Sequence, residues 1–283
     1  MTTGTIDYWC NAFTPDRADV WRASLAAQNV ALQLAGERDG FASGAAMVER
    51  MDALGIATLI LPTCELPEHA GPLDFESVAC RPEESQALTK AHPGRFAASW
   101  SIDPREGMTG VERTRRALDA QSMVALHIHT HSFDLRFDAP EFYPYYALAA
   151  EAGVPVMMQA GTSGGLMPSE CGAPIGIDRP AIYFPNVDFI LSHTGWPWVD
   201  EAISMALKFP NVFLGSATYP PRRWPEAFAA FVRGPGRNKT LYGSGFPVTS
   251  HSEALKQLRD LELGKTEARF LGENARTIFR RLA

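Results

Sequence analysis

Three histidines alternate in the stretch Val124 to Phe133, VALHIHTHSF, and imidazole is the side chain whose ordinary titration falls nearest neutral pH. On a β-strand, side chains two apart share a face, so His127, His129 and His131 point the same way. Three of the seven histidines in the chain therefore converge on one surface. In a parallel barrel that surface is the interior or its mouth, where ligands are met. A strand histidine can also be a core residue with its hydrogen bonds satisfied, and His127, the deepest of the three, bears that alternative most heavily.

The elements that position this stretch follow from hydrophobic spacing. Thr5 to Asn11 reads as a first strand. Ser43 caps a helix to Leu54, stopped by Gly55, and the apolar run Ile56 to Leu61, closed by Pro62, is a second strand buried on both faces. Further strands are predicted at Phe96 to Ile102, at the histidine stretch, and at Val154 to Gln159, Val187 to Ser192, Val212 to Leu214 and Thr240 to Tyr242. Helical runs lie between them and two more close the chain. Asp178 is a candidate cap for a short helix before the sixth strand. The Gly- and Ser-rich loop Gly161 to Pro174 is long for a simple connection and is a candidate lid. Eight strands alternating with helices predict an α/β fold, a (β/α)8 TIM barrel in a single domain over residues 1–283. No GxGxxG follows the first strand, which disfavours a doubly wound dinucleotide-binding sheet.

Chemistry in such barrels sits at the C-terminal strand ends. Those ends carry Trp9 and Asn11, Thr63 and Cys64, Trp100 and Asp103, the three histidines, Gln159, His193 and Thr194, Ser216, and Ser244. Aromatic walls with amides, hydroxyls and imidazoles suit a small, planar or partly apolar polar molecule.

Composition narrows the classes. With 283 residues and 46% hydrophobic content the chain can bury a full core. The net charge of −6 argues against a nucleic-acid surface, and Arg113, Arg115 and Arg116 fall in a helical run with Glu112 and Asp119. No apolar run is long enough to span a membrane, so a cytoplasmic protein is expected. Cys10, Cys64, Cys80 and Cys171 show no CxxC spacing, predicting reduced thiols with no zinc knuckle. Cys10 and Cys64 lie near strand ends, where a nucleophilic thiol or a small buried hydrophobe both fit.

The chain resembles the amidohydrolase-related family of the amidohydrolase superfamily. The branch is the one containing aminocarboxymuconate semialdehyde decarboxylase, resorcylate-type decarboxylases and pyrone-dicarboxylate lactonase. The resemblance runs through Ile6-Asp7, the histidine stretch with FYPYY (Phe142 to Tyr146), SHTGWPW (Ser192 to Trp198), KFPNVFLGSA (Lys208 to Ala217), LYGSGFP (Leu241 to Pro247) and LGENARTIF (Leu271 to Phe279). It implies the barrel, a homodimer to which Trp196-Pro197-Trp198 and Tyr219-Pro220-Pro221 could contribute, and hydrolase or decarboxylase chemistry.

Members that hold a divalent metal open with Asp-x-His-x-His, add a histidine at strand five and another at strand six, and place an aspartate in a GSDxP segment at strand eight. Here those positions read Asp7 with Trp9 and Asn11, then Gln159, His193 and Gly245. One imidazole with an indole, two amides and a glycine is a poor donor set for an ion that wants three or four ligands, so no metal and no other cofactor are expected.

Three readings follow. In the first, His129, His193 and His131 with Gln159 carry metal-independent acid and base catalysis on a small-molecule substrate. Trp9, Asn11, Trp100, His127, Ser216, Ser244 and Arg222 then bind that substrate, with Asn11, Gln159 and Ser244 donating to a carboxylate, lactone carbonyl or oxyanion. Arg136, Arg179 and Arg223 share with Arg222 the alternative of surface solubility. A lactonase-like hydrolase is the leading expectation and a non-oxidative decarboxylase the other. In the second reading a displaced metal sits on two strand-four histidines and His193, with Asp134 or Glu170 assisting. In the third the barrel binds a small molecule without catalysis.

Overall fold

In the computed structural model, which describes residues 4–11, 13–14, 19, 23, 41–63, 80–120, 123–162 and 167–282, the apolar runs become eight parallel strands bonded in sequence order. These are β1 (Thr5–Asp7), β2 (Ile56–Pro62), β3 (Phe96–Ser101), β4 (Met123–Ile128), β5 (Val156–Gln159), β6 (Phe189–Ser192), β7 (Val212–Gly215) and β8 (Thr240–Leu241). Parallel neighbours need a crossover, and helices such as Gly44–Leu54, Gly107–Asp119 and Val199–Lys208 supply it. The ring closes where the Tyr8 N–H donates to the Tyr242 carbonyl at 3.0 Å and Cys10 bridges Phe246 in parallel. The chain is a (β/α)8 barrel.

Alternation along the strands makes two apolar layers. Ile6, Tyr8, Ile60, Ala97, Met157, Ile190 and Leu241 fill the inside. Leu59, Leu61, Leu126, Ile128, Met158 and Leu191 pack outward under the helices. The segment after β8 joins the inner layer: Ala275, Ile278 and Phe279 belong to it, and the Phe279 ring stacks on Tyr8 at 6.5 Å. That segment closes the end of the barrel opposite the C-terminal strand ends.

Local signals act as their chemistry dictates. The Ser43 hydroxyl accepts from the Ala46 N–H at 3.2 Å, and Gly55 ends the helix at φ 70°, a left-handed conformation that costs glycine little. The last of the helical runs expected to close the chain is α-helical only over Asn274–Ile278, preceded by π-helical Arg269–Glu273. Asp178 is the first residue of helix Asp178–Tyr183 and not its cap.

The histidine stretch is corrected in one respect. β4 ends at Ile128, because its neighbours pair with it only as far as Ser101 opposite His127 and Met158 opposite Ile128. Beyond the rim the backbone has no ladder to join, and it satisfies itself in the short helix Thr130–Phe133, where the Ser132 N–H reaches the His129 carbonyl at 3.1 Å. His131 is therefore a helical residue, not a strand residue. No helix among the described residues is long and apolar enough to cross a membrane. Cys64 and most of the stretch between Pro15 and Gly40 lie outside the described residues, as do residues 163–166 of the candidate lid.

Candidate active site at the barrel mouth

β4 sends Leu126 and Ile128 outward, so His127 and, just past the strand end, His129 face the lumen. The Trp9 indole lies between two imidazoles, edge to face with His127 at 4.9 Å and His193 at 5.1 Å. The His129 ring is 6.4 Å from His127 and 5.6 Å from His131. Although on a helix, His131 thus stays with the cluster, its Nε2–H donating to the Gly161 carbonyl at 2.9 Å. All four imidazoles are buried. His129 Nδ1 lies 2.7 Å from Ser132 Oγ, and Gln159, the last residue of β5, acts electrostatically on the same imidazole.

His193 leaves β6 in a left-handed conformation, φ 61°, followed by Thr194 at 55° and Gly195 at 73°. Two successive side-chain-bearing residues in that region cost about 1–2 kcal/mol each, and the strain sets the imidazole off the strand's own alternation. The tautomer of His193 follows from its neighbour. The Ser192 hydroxyl gives its single proton to the Met158 carbonyl at 2.8 Å, so the 2.7 Å contact with His193 Nδ1 must be an N–H donating to Ser192 Oγ. Nε2 is left with the lone pair.

Burial pushes His127 down to about 4 and His193 to about 3, and holds His129 well below the imidazole range, with the mutual repulsion of the rings adding to the last two. The cluster is neutral at pH 7. Neither ring nitrogen of His127, nor Nδ1 of His131, has a well-formed hydrogen bond among the described residues.

Asn11 joins this group, accepting from the Trp9 indole N–H at 3.3 Å and donating to the Gly245 carbonyl at 3.3 Å. Trp100, Ser216 and Ser244 are engaged elsewhere. Trp100 faces the helix layer, donating to Thr114 Oγ1 at 3.0 Å under the Arg113 guanidinium. Ser216 Oγ bonds the Gly243 carbonyl at 3.0 Å and Ser244 Oγ is directed at Asp7, so both hydroxyls tie strands together. Arg222 lies in the turn Pro221–Arg223 after β7, with its N–H on Gln257. Arg136 is paired with Asp138 at 3.1 Å.

The sequence reading missed a buried partnership. Asp7 Oδ1 accepts from the Trp9 and Ser244 N–H groups at 3.1 and 2.9 Å, while Oδ2 accepts from the Ser244 hydroxyl and, at 2.9 Å, from His251 Nε2. An acidic residue alone in the apolar first strand was the one available signal.

The metal positions of the resembled family do not fit an ion here. Trp9 offers no lone pair, and its N–H occupies the Asn11 oxygen that would be the next donor. The displaced site is not preformed either: among the described residues, the group whose donor atoms come within 4.8 Å of one another is Asp7, Cys10 and His251. There both carboxylate oxygens already accept two hydrogen bonds each, which uses the capacity of the group.

A (β/α)8 barrel with imidazoles gathered at the C-terminal strand ends has the architecture of an amidohydrolase-type barrel. The family model described as amidohydrolase matches residues 67–281, and the chain belongs to that family. Among solved structures, an uncharacterised TIM-barrel protein from Bordetella bronchiseptica is similar at TM-score 0.78 and 21% identity, over 98% of this chain and 99% of that one. The 5-carboxyvanillate decarboxylase of Sphingomonas paucimobilis is similar at 0.66 and 18%, over 98% and 99%. A probable 2-pyrone-4,6-dicarboxylic acid hydrolase from Acinetobacter baumannii is similar at 0.63 and 15%, also over 98% and 99%. At these identities the likeness is one of fold. No curated protein matches the sequence.

Proposed function

We propose that this chain is a hydrolase that acts on a small carboxylated lactone, ester or amide through imidazole acid and base chemistry, without a divalent metal. The observation that carries the reading is the fixed tautomer of His193, whose Nδ1–H is spent on Ser192. Its Nε2 lone pair takes the proton from a water molecule as the water oxygen bonds to the acyl carbon. His129 and Gln159 give hydrogen bonds to the oxyanion that develops there, and Trp9 is the apolar wall against which a planar substrate rests. As the acyl bond breaks, the proton returns from His193 to the leaving group. The similarity to a probable pyrone-dicarboxylic acid hydrolase supports this chemistry.

Non-oxidative decarboxylation is the second reading, favoured by the similarity to 5-carboxyvanillate and 2,6-dihydroxybenzoate decarboxylases. It requires proton delivery to a ring carbon, which imidazoles kept neutral by burial do poorly. A homodimer is also proposed. Its support is the 46% exposure of Trp196, whose ring lies 6.3 Å from that of Tyr219.

The test is turnover of lactones, esters, amides and aromatic carboxylates, followed by product acid and by released CO2, with and without a chelator. We expect product acid, no effect of chelation, and a loss of about 100- to 10,000-fold in kcat for His193→Gln. Activity lost on chelation and restored by one divalent ion per chain would overturn the metal-independent reading. CO2 as the product would replace hydrolysis with the second reading.

A further inference from the structure

We propose that Ser132 is a positioning residue: its hydroxyl donates to His129 Nδ1 and holds the proton of that imidazole on Nε2, the reverse of what Ser192 does to His193. The two rings then meet a substrate as one donor and one acceptor. This deepens the hydrolase reading and rests on it for the part each ring plays in turnover.

The contact between Ser132 and His129 exists because β4 stops. On a continued strand the two side chains, three residues apart, would point to opposite faces. The helical turn Thr130–Phe133 instead brings the Ser132 N–H to the His129 carbonyl at 3.1 Å and sets the hydroxyl oxygen 2.7 Å from His129 Nδ1.

The direction of that bond follows from what else each hydroxyl can reach. Ser192 has the Met158 carbonyl at 2.8 Å, spends its proton there, and can only accept from His193. Among the described residues, Ser132 has no carbonyl or carboxylate oxygen competing for its proton. Besides the imidazole, its hydroxyl meets the Met167 thioether at 4.0 Å, a weak acceptor at the edge of contact. A ring nitrogen at 2.7 Å is the better acceptor in both type and distance, so the serine proton lies between Oγ and Nδ1. Burial keeps the His129 ring neutral, and a neutral imidazole whose Nδ1 accepts carries its one proton on Nε2.

Two serines thus impose opposite tautomers on two imidazoles near enough to act on each other. His193 Nε2 accepts the proton of the attacking water, while the His129 Nε2–H is held ready for the oxygen on which charge develops.

The experiment is NMR of the full chain at pH 7.5 with isotope-labelled histidine, in which long-range nitrogen–proton correlations show which ring nitrogen bears the proton. His129→Gln assigns the signal, and kcat and KM are measured beside it on the lactone and ester panel. Expected are a proton on Nε2 of His129 and on Nδ1 of His193. Ser132→Ala should move His129 towards the Nδ1-protonated form and lower kcat about 10- to 100-fold with little change in KM, and Ser132→Thr should restore both. A serine of purely structural value would lower the melting temperature on substitution and move neither readout. A proton on Nδ1 of His129 in the unmodified chain overturns the proposal, and this holds even where Ser132→Ala fails to fold. So does a tautomer that Ser132→Ala leaves in place, or a changed tautomer with kcat unmoved. The two readings fail separately: a chain that turns over none of the panel removes the hydrolase reading while the tautomers still decide this one, and turnover with His129 protonated on Nδ1 does the reverse.

Discussion

A buried imidazole at the barrel mouth carries a cost that shows only in acid. In the unfolded chain His127 and His193 bind a proton below the ordinary value near 6.5, whereas in the fold they resist it until about 4 and about 3. Their contribution to stability is therefore complete above pH 6.5 and is lost as the pH falls towards those values. By pH 5 the loss is about 2 kcal/mol for each of them. Melting temperature should drop between pH 7.5 and pH 5, and His127→Gln should narrow the drop while gaining nothing at pH 7.5. A wild-type melting point that is flat over this interval would contradict the burial argument.

At the scale of elements, the site is held by loops knitted to one another. Gly161, after β5, has φ 87°, and a Cβ there would strike the Trp196 carbonyl. Its own carbonyl holds His131, and the neighbouring Thr162 N–H bonds Trp196 at 2.8 Å. Gly161→Ala should destabilise the fold by about 1–3 kcal/mol and shift the His131 ring resonances in an NMR spectrum more than those of His251, which lies outside this knot. What could be read in the sequence divides along the same line. The period of two in β4 gave the inward face of His127, because a ladder enforces it. It failed at His131 because the ladder ends at Ile128, three residues before that histidine. In β3 the alternation FAASWS puts Trp100 on the face of Phe96 and Ala98, away from the lumen, and only its position at a strand end suggested otherwise. The bond between Asp7 and His251 spans 244 residues, and no local spacing announces it.

For the molecule as a whole, that long-range bond marks the seam where the first strand meets the last. Asp7 receives two backbone and two side-chain donors at zero exposure, and three of the four come from β8 or the chain after it. Asp7→Ala leaves several buried donors unmatched, each worth about 1–3 kcal/mol, so the urea midpoint should fall further than for any substitution at the rim. Asp7→Asn, which keeps an oxygen for two of the donors, should fall between. Equal midpoints for Asp7→Ala and the unmodified chain would show that the seam is held elsewhere.

The Phe279 ring that fills the floor beneath Tyr8 comes after all eight strands in the chain. A ribosome therefore delivers the complete staves of the barrel before the residue that stops its lower opening. Until some 38 further residues have emerged beyond β8, the nascent cylinder has an unsealed apolar bore, and the interval is one in which chaperone capture or aggregation competes with completion.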